Sequence, residues 1–310
     1  MYAHFITFTP EQFRGHASSA YMLTTGLSVG LTGRQEAELQ TLYETEAGLA
    51  LSKSGKPLKW TDNKRVRMGE LIAKRDAKPV LSKSGQTICD DWIIAMLFDQ
   101  FKDYENKYTK KGNMNEAEGV KLTKDFMKRE FMIPYEGERM YDKDFTGICD
   151  VLEPDIGVDI KNPYWAFSHP VIKSEMTNKI YEDQGVVYCE LFDRPWWCFS
   201  YTLTSAPQEI IEKEATYEAR KLGYMTYTNE IYEAVERRLT YEGEPMEKRI
   251  RLFWVKRDNK RVELIRTAVG LCREYIHGKL IELSETQSIY PPDHKLSPPP
   301  ALNGAQKKVA

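Results

Sequence analysis

The sequence predicts an α/β fold, and three observations carry that prediction. Apolar residues recur at helical spacing over 84–104, 112–131 and 178–192, the period of a buried helix face. Between the second and third of these stretches, FTGICDVL and GVDIK have the texture of short strands, and the intervening EPDI supplies Pro154 and Asp155 for a turn. Residues 197–203 alternate like a further strand, after which Pro207 opens another helical stretch ending near Gly223.

Composition bounds what such a fold can do. A chain of 310 residues holds one large or two modest domains and supports a sizeable core. Its 41% hydrophobic and 29% charged residues are those of a globular protein, neither disordered nor fibrous. Forty-four Lys and Arg stand against 46 Asp and Glu, a formal charge of -2. No whole-molecule field therefore marks the chain for nucleic acid or an anionic membrane, and any such field must be local. The richest apolar run, 92–98, falls far short of the roughly 18–20 residues a membrane helix needs. The opening MYAHFITFTPEQFRGH lacks a basic leader followed by a long apolar segment, so a cytoplasmic location is expected. Cys89, Cys149, Cys189, Cys198 and Cys272 are scattered, without C-x-x-C spacing, which predicts free buried thiols.

In chain order, residues 1–60 read as a mixed N-terminal extension with a helical pattern in Ala37, Leu39, Leu42 and Tyr43. Segment 59–78 carries seven basic against three acidic residues, a local +4 that includes Arg65 and Arg67. The helix over 84–104 is expected to bury Ile88, Trp92, Ala95 and Met96. The helix over 112–131, just beyond Lys110 and Lys111, places Glu116, Val120 and Met127 along one side. Alone, Glu116 reads as a first-turn acid that complements the helix dipole. The helix over 178–192 sets Tyr181, Gln184 and Tyr188 on one stripe, and a glutamine there is unexpected of a core face. Segment 245–261 carries seven basic against two acidic residues, a local +5 that includes Arg249 and Arg251. Phe253 and Trp254 within it read as core residues before base-stacking ones. The last segment, 291–310, holds five of the fifteen prolines and no amphipathic pattern, the composition of a disordered tail.

The hairpin is where chemistry gathers. With Leu152 opposite Gly157, Asp150 falls opposite Asp159, and opposed Cβ atoms on one face lie about 4.5–5.5 Å apart. Like charges that close need a neutralising partner, and a divalent cation is one. Lys161 shares the face of Asp159, while Ile160 points the other way into the core. Oxygen-only donors suit Mg²⁺ or Mn²⁺, and a lysine beside them can orient an attacking water or offset charge on phosphorus. The D-x8-D-x-K pattern alone describes an exposed hairpin with a surface Asp-Lys pair just as well.

In combination, Gly147-Ile-Cys-Asp150, Asp159-Ile160-Lys161, Gln184-x-x-x-Tyr188 and Gly112-x-x-x-Glu116 resemble the motifs of the PD-(D/E)xK nucleases. Within them the likeness is to the RecB-like and bacteriophage recombination exonuclease branch, which includes lambda-exonuclease-like and YqaJ-like proteins. The likeness spans residues 70–205 or so, and order and spacing together make it specific. It departs from the family name at Cys149-Asp150, where a proline would stand; the literal Pro154-Asp155 is the turn.

The resemblance implies a restriction-endonuclease-like core, a mixed central β-sheet flanked by helices. The nuclease domain would span 61–290, with 1–60 as its helical extension and 291–310 as a tail. It implies Mg²⁺-dependent cleavage of DNA phosphodiesters, with Glu116, Asp150, Asp159 and the Ile160 carbonyl as metal ligands. Lys161 would orient the water, and Gln184 and Tyr188 would brace the site or touch the DNA end. Arg65, Arg67, Lys110, Lys111, Arg249 and Arg251 would then contact phosphates beside it. The expected role is a phage-type exonuclease of DNA recombination in the host cytoplasm, with a single-strand annealing or single-strand-binding protein as partner and a homo-oligomeric ring as assembly. An endonuclease or junction resolvase on the same core is the alternative, as is a non-catalytic DNA-binding scaffold.

Absences sharpen the picture. There is no G-x-x-x-x-G-K-[ST], since Pro57 follows Gly55-Lys56, so no ATP-driven motor is expected. Neither G-x-S-x-G nor H-E-x-x-H occurs, and the five cysteines lack the arrangement an iron-sulfur cluster requires. The histidines at 4, 16, 169, 277 and 294 form no i, i+4 pair, and His169 reads as a loop residue.

Overall fold

The computed structural model describes residues 6–286 apart from 28–29, 32, 103–105, 131 and 177; the proline-rich segment 291–310 lies outside the described residues. The chain enters through strand β1 (Gly15–His16) and helix α1 (Ala20–Thr24), followed by α2 (Gly33–Glu46) and α3 (Asp62–Asp76). Leu39 and Leu42 of α2 bury against Leu71 of α3 in a small cluster of their own. Helix α4 (Lys83–Phe98) starts at Ser82, whose hydroxyl accepts the Gly85 amide, and stops at Asp99, which takes a left-handed φ of 49°. It therefore ends before the predicted 104. Its deepest residues are Gly85, Cys89, Ile93 and Ala95, with Ile88, Trp92 and Met96 on the flank.

The helix expected over 112–131 is two helices, α5 (Lys107–Met114) and α6 (Glu116–Met127), which meet at Asn115. The junction is fastened from outside: the Asn115 amide donates to Thr204 Oγ1 at 2.7 Å and to the Ser205 carbonyl at 2.5 Å.

Strands β2 (Met140–Tyr141) and β3 (Phe145–Gly147) are antiparallel, and β1 joins β3 in parallel to make a three-stranded sheet. Strands β4 (Val151–Leu152), β5 (Ile156–Lys161), β6 (Trp196–Thr202) and β7 (Ile250–Lys256) form a second, mixed sheet in that order. The expected sheet is thus divided, because the stretch FTGICDVL bends at 148–150 and its two halves pair in different sheets. The hairpin register is the predicted one, with Leu152 opposite Gly157 and Val151 opposite Val158. Helix α7 (Lys179–Leu191) connects β5 to its parallel neighbour β6. Helices α8 (Gln208–Lys221), α9 (Asn229–Leu239) and α10 (Met246–Arg249) lie between β6 and β7, and α11 (Asn259–Thr286) follows.

Both faces of the four-stranded sheet are covered, which is why β5 is a continuous apolar run apart from its functional residues. Val187 of α7 and Ile265 and Val269 of α11 bury with Trp197, Phe199 and Phe253 on one face. Phe8, Phe13, Ala17, Ala20 and Leu23 belong to that same core. On the other face Val120 of α6 packs with Val151, Val158, Ile160 and Cys198. Helices α8 and α9 form a hairpin around Ile210, Ile211, Val235 and Leu239, which Tyr164 joins. All five cysteines are free and buried. Among the described residues no helix is long and apolar enough to cross a membrane.

Candidate active site

Alternation along β5 sends Ile156, Val158 and Ile160 toward α6 and leaves Asp159 and Lys161 on the face toward α7. Asp150 sits one residue beyond the β4–β5 ladder, in the bend that splits the strand. Its Oδ2 accepts the Ile160 amide at 2.6 Å, and its carbonyl accepts the Tyr135 amide at 2.7 Å. The glycine of the Gly147-x-x-Asp150 pattern has a packing reason. A Cβ there would stand 2.7 Å from the Tyr188 ring, and in this place the Tyr188 hydroxyl donates to the Ile148 carbonyl at 2.8 Å.

Asp159 is only 3% exposed. Its Oδ1 lies 2.5 Å from Lys161 Nζ, and its Oδ2 accepts Gln184 Nε2 at 3.1 Å. The same Gln184 nitrogen lies 3.3 Å from the Tyr188 hydroxyl, so the odd glutamine of the α7 stripe is a brace on the acid. Lys161 Nζ also rests 4.9 Å from the centre of the Tyr181 ring.

The electrostatics follow from burial. Desolvation, and then the charge of Asp159, push the Asp150 carboxyl up to about 7; the Ile160 amide and Lys161 pull it back, and Glu116 adds to the rise. Burial pulls the Lys161 ammonium down, but Asp159 and Tyr181 outweigh it and hold the group above its ordinary value. Lys161 is therefore a fixed cation at neutral pH, suited to stabilising charge and not to accepting a proton.

A cleft of about 540 Å³ is lined by Glu116, Asp150, Asp159, Ile160, Lys161, Gln184 and Tyr188. Glu116 is exposed on the first turn of α6. Among the described residues no three His, Cys, Asp or Glu are gathered closely enough to hold a metal by themselves, so Glu116 is a rim residue and not the third wall of a carboxylate cage. The remaining donors fit a hard cation nonetheless. They are all oxygen, the buried Asp159 Oδ1 has no hydrogen-bond partner beyond its ion pair, and the buried Asp159 and half-buried Asp150 share a single ammonium.

Sequence reasoning missed what holds the cleft wall. Asn162 Oδ1 accepts the Thr202 hydroxyl at 2.7 Å, and its amide donates to the Gly112 carbonyl at 3.3 Å. Lys111 is fully buried, its Nζ donating to the carbonyls of Pro163 at 2.7 Å, Thr204 at 2.8 Å and Tyr164 at 3.2 Å. The one signal available was the cluster of hydroxyl residues Thr202, Thr204 and Ser205 after an apolar strand.

These contacts remove Lys111 and Arg249 from the expected phosphate-binding set. Lys111 has no surface to offer, and burial pulls its ammonium down to about 8. Arg249 is likewise buried, donating to the Leu203 carbonyl and to Glu118. Arg67 clamps Glu38 and Glu70, Lys110 pairs with Glu209, and Arg65 with Asp62. Arg251 is half-buried over the Phe253 ring. Arg257 and Arg261 of the second basic segment are also paired with acids. Local sequence charge overstated the free positive field because acids distant in the chain neutralise it. His169 is a loop residue as expected, buried with Nε2 against the Tyr201 carbonyl.

The arrangement, a mixed sheet covered by helices on both faces, is an α/β fold that solved structures share. A phage-related exonuclease from Haemophilus somnus 129PT matches with a TM-score of 0.53 and 20% identity, over 78% of this chain and 95% of that one. An alkaline exonuclease from Laribacter hongkongensis is similar at a TM-score of 0.49 and 12% identity, over 87% of this chain and 91% of that one. No protein-family model matches the chain, and no curated protein matches it by sequence. At 20% identity the likeness is one of fold, and the chain has the restriction-endonuclease-like fold of the phage-related exonuclease.

Proposed function

We propose that this protein is a magnesium-dependent DNA exonuclease of phage type that processes DNA ends in recombination. The observation that carries this reading is the meeting of Asp150, Asp159, Lys161, Gln184 and Tyr188 in one cleft. The fold shared with a phage-related exonuclease supports it. Asp150, Asp159 and the Ile160 carbonyl would hold Mg²⁺, with Mn²⁺ as the alternative and Glu116 joining from the rim. When bound, the metal supplies Lewis-acid polarisation of the phosphate and acidifies water.

The chain's own residues account for the rest. The Lys161 ammonium, fixed 2.5 Å from Asp159, offsets negative charge as it builds on the phosphoryl oxygens. Gln184 fixes the Asp159 carboxylate, and the Tyr188 hydroxyl, committed to the Ile148 carbonyl, fixes Gln184 in turn. Because water must lose a proton in the reaction, the rate should climb toward alkaline pH. A single-strand-binding or annealing protein in the host cytoplasm would receive the exposed strand.

End-labelled linear duplex and covalently closed circles, incubated with magnesium and either wild type or Lys161→Ala, test the reading. Wild type should release nucleotides from linear DNA and spare circles, and the variant should be nearly inactive. Cutting of circles alone would make the protein an endonuclease or resolvase. DNA bound but never cut would make it a scaffold, and equal activity of both proteins would place the site elsewhere.

A further inference from the structure

The loop after β5 carries an exposed aromatic tip on a rigid base. Phe167 exposes 89% of its surface at the centre of a 3-10 turn, Ala166–Ser168, and the ring of Trp165 meets it edge-on at 5.4 Å. An apolar ring this exposed gains nothing from the fold, and a free loop would turn it inward. This loop is not free. Lys111 holds the Pro163 and Tyr164 carbonyls, the Tyr241 hydroxyl accepts the Ala166 amide at 3.0 Å, and the buried His169 ring lies 3.3 Å from the Tyr201 carbonyl. Ser168 closes the turn on itself through the Trp165 carbonyl at 2.8 Å. The buried lysine thus has a purpose the cleft chemistry does not use: it anchors the base of the tip.

We propose that Phe167, buttressed by Trp165, is a stacking platform for an unpaired base of the DNA strand whose phosphate lies in the cleft. The inference rests on the nuclease reading and adds to it which state of the substrate is selected. The platform is continuous with the cleft, since Tyr164 and Ser168, the residues flanking Trp165 and Phe167, both line it. A flat ring fixed beside a phosphate site matches a base one nucleotide or so away, and stacking accepts any base because each has a π-face. A paired base presents only its edge, so the platform favours frayed or single-stranded ends.

Single-stranded oligonucleotides with 2-aminopurine at successive positions test this, bound with magnesium to protein carrying Lys161→Ala so that the strand is retained. Quenching is expected at one position, Phe167→Ala should abolish it and weaken binding on the order of ten-fold, and Phe167→Trp should restore both. An abasic site at that position should weaken binding by the Phe167 protein and leave Phe167→Ala unchanged. Because Phe167 is exposed, both variants should fold, which circular dichroism checks. If wild type cuts DNA while quenching and affinity survive Phe167→Ala, the platform is wrong and the nuclease reading stands. If wild type neither binds nor cuts any DNA, both fall. A change confined to self-association would make the turn a contact between copies and overturn the platform.

Discussion

Helix α7 carries Asp183 and braces Asp159 through Gln184, and the two aspartates are equally buried and oppositely treated. Asp183, 3% exposed, receives two guanidinium bonds from Arg261 at 2.6 Å and a hydroxyl bond from Thr24 at 3.0 Å. Asp159, also 3% exposed, has one ammonium and one amide, and its neighbour Asp150 has a single backbone N–H. The first acid is saturated, and it ties α1, α7 and α11 together. The second keeps lone pairs in reserve beside another acid whose carboxyl burial has pushed up to about 7. A structural charge is paired to completion, whereas a charge left short of partners inside a cleft has capacity for a ligand.

The largest expected effects break the two pairs from their cationic side. Arg261→Ala strands Asp183 and should cost about 3 kcal/mol of stability, the low end for a buried pair because Arg261 keeps 34% of its side chain in water. Denaturant melts should show this loss unchanged by magnesium. Lys161→Ala should lower the nuclease rate on the order of 10²–10³-fold, and magnesium should restore its melting temperature, because the acids it strands can take a metal instead. Rescue of Arg261→Ala by magnesium, or failure to rescue Lys161→Ala, would erase the distinction between the two sites.

The pH dependence of stability sharpens the same contrast. The Asp150 carboxyl is raised from 3.8 to about 7 by burial and by Asp159, so the folded protein prefers it protonated. Its stabilising contribution is full below the unfolded value and is lost as pH rises through the folded one. Without metal, wild type should therefore lose stability between pH 4 and about 7, and Asp150→Asn should flatten that slope and melt higher at pH 8. Thermal melts across this range, with and without magnesium, decide it. An unchanged slope in Asp150→Asn would assign the titration to another group.

Much of the site was readable from the chain because strand alternation and helix spacing are local rules. They set Lys161 beside Asp159, turned Ile160 into the core, and put Gln184 and Tyr188 on one stripe. The hairpin register was legible for the same reason. What escaped depends on contacts far apart in sequence. The bend at 148–150 arises from pairing with β1 and β2, the helix break at Asn115 from bonds to Thr204 and Ser205, and the burial of Lys111 and Arg249 from carbonyls of distant loops. A lysine quenched by three carbonyls is indistinguishable in sequence from one aimed at phosphate.

The smallest predicted effect separates two glycines that flank Glu116. Gly112, from the Gly-x-x-x-Glu pattern, has open space where a Cβ would stand, so Gly112→Ala in α5 should raise stability by up to about 1 kcal/mol through helix propensity. Gly119, which no motif marked, is where α6 meets the sheet. A Cβ there would lie 2.5 Å from Ile160 Cγ2, 2.8 Å from Thr202 Oγ1 and 3.0 Å from Asn162 Oδ1. Gly119→Ala should cost about 1–3 kcal/mol, the range for overpacking, and α6 must shift away from β5, carrying Glu116 with it. Because Glu116 reaches the cleft only from the rim, the displaced helix should raise the magnesium concentration needed for half-maximal activity more than it lowers the rate at saturating metal. Titrating magnesium against activity in both variants measures this, and an unshifted midpoint in Gly119→Ala would remove Glu116 from the proposed metal site while leaving Asp150 and Asp159 as its proposed ligands.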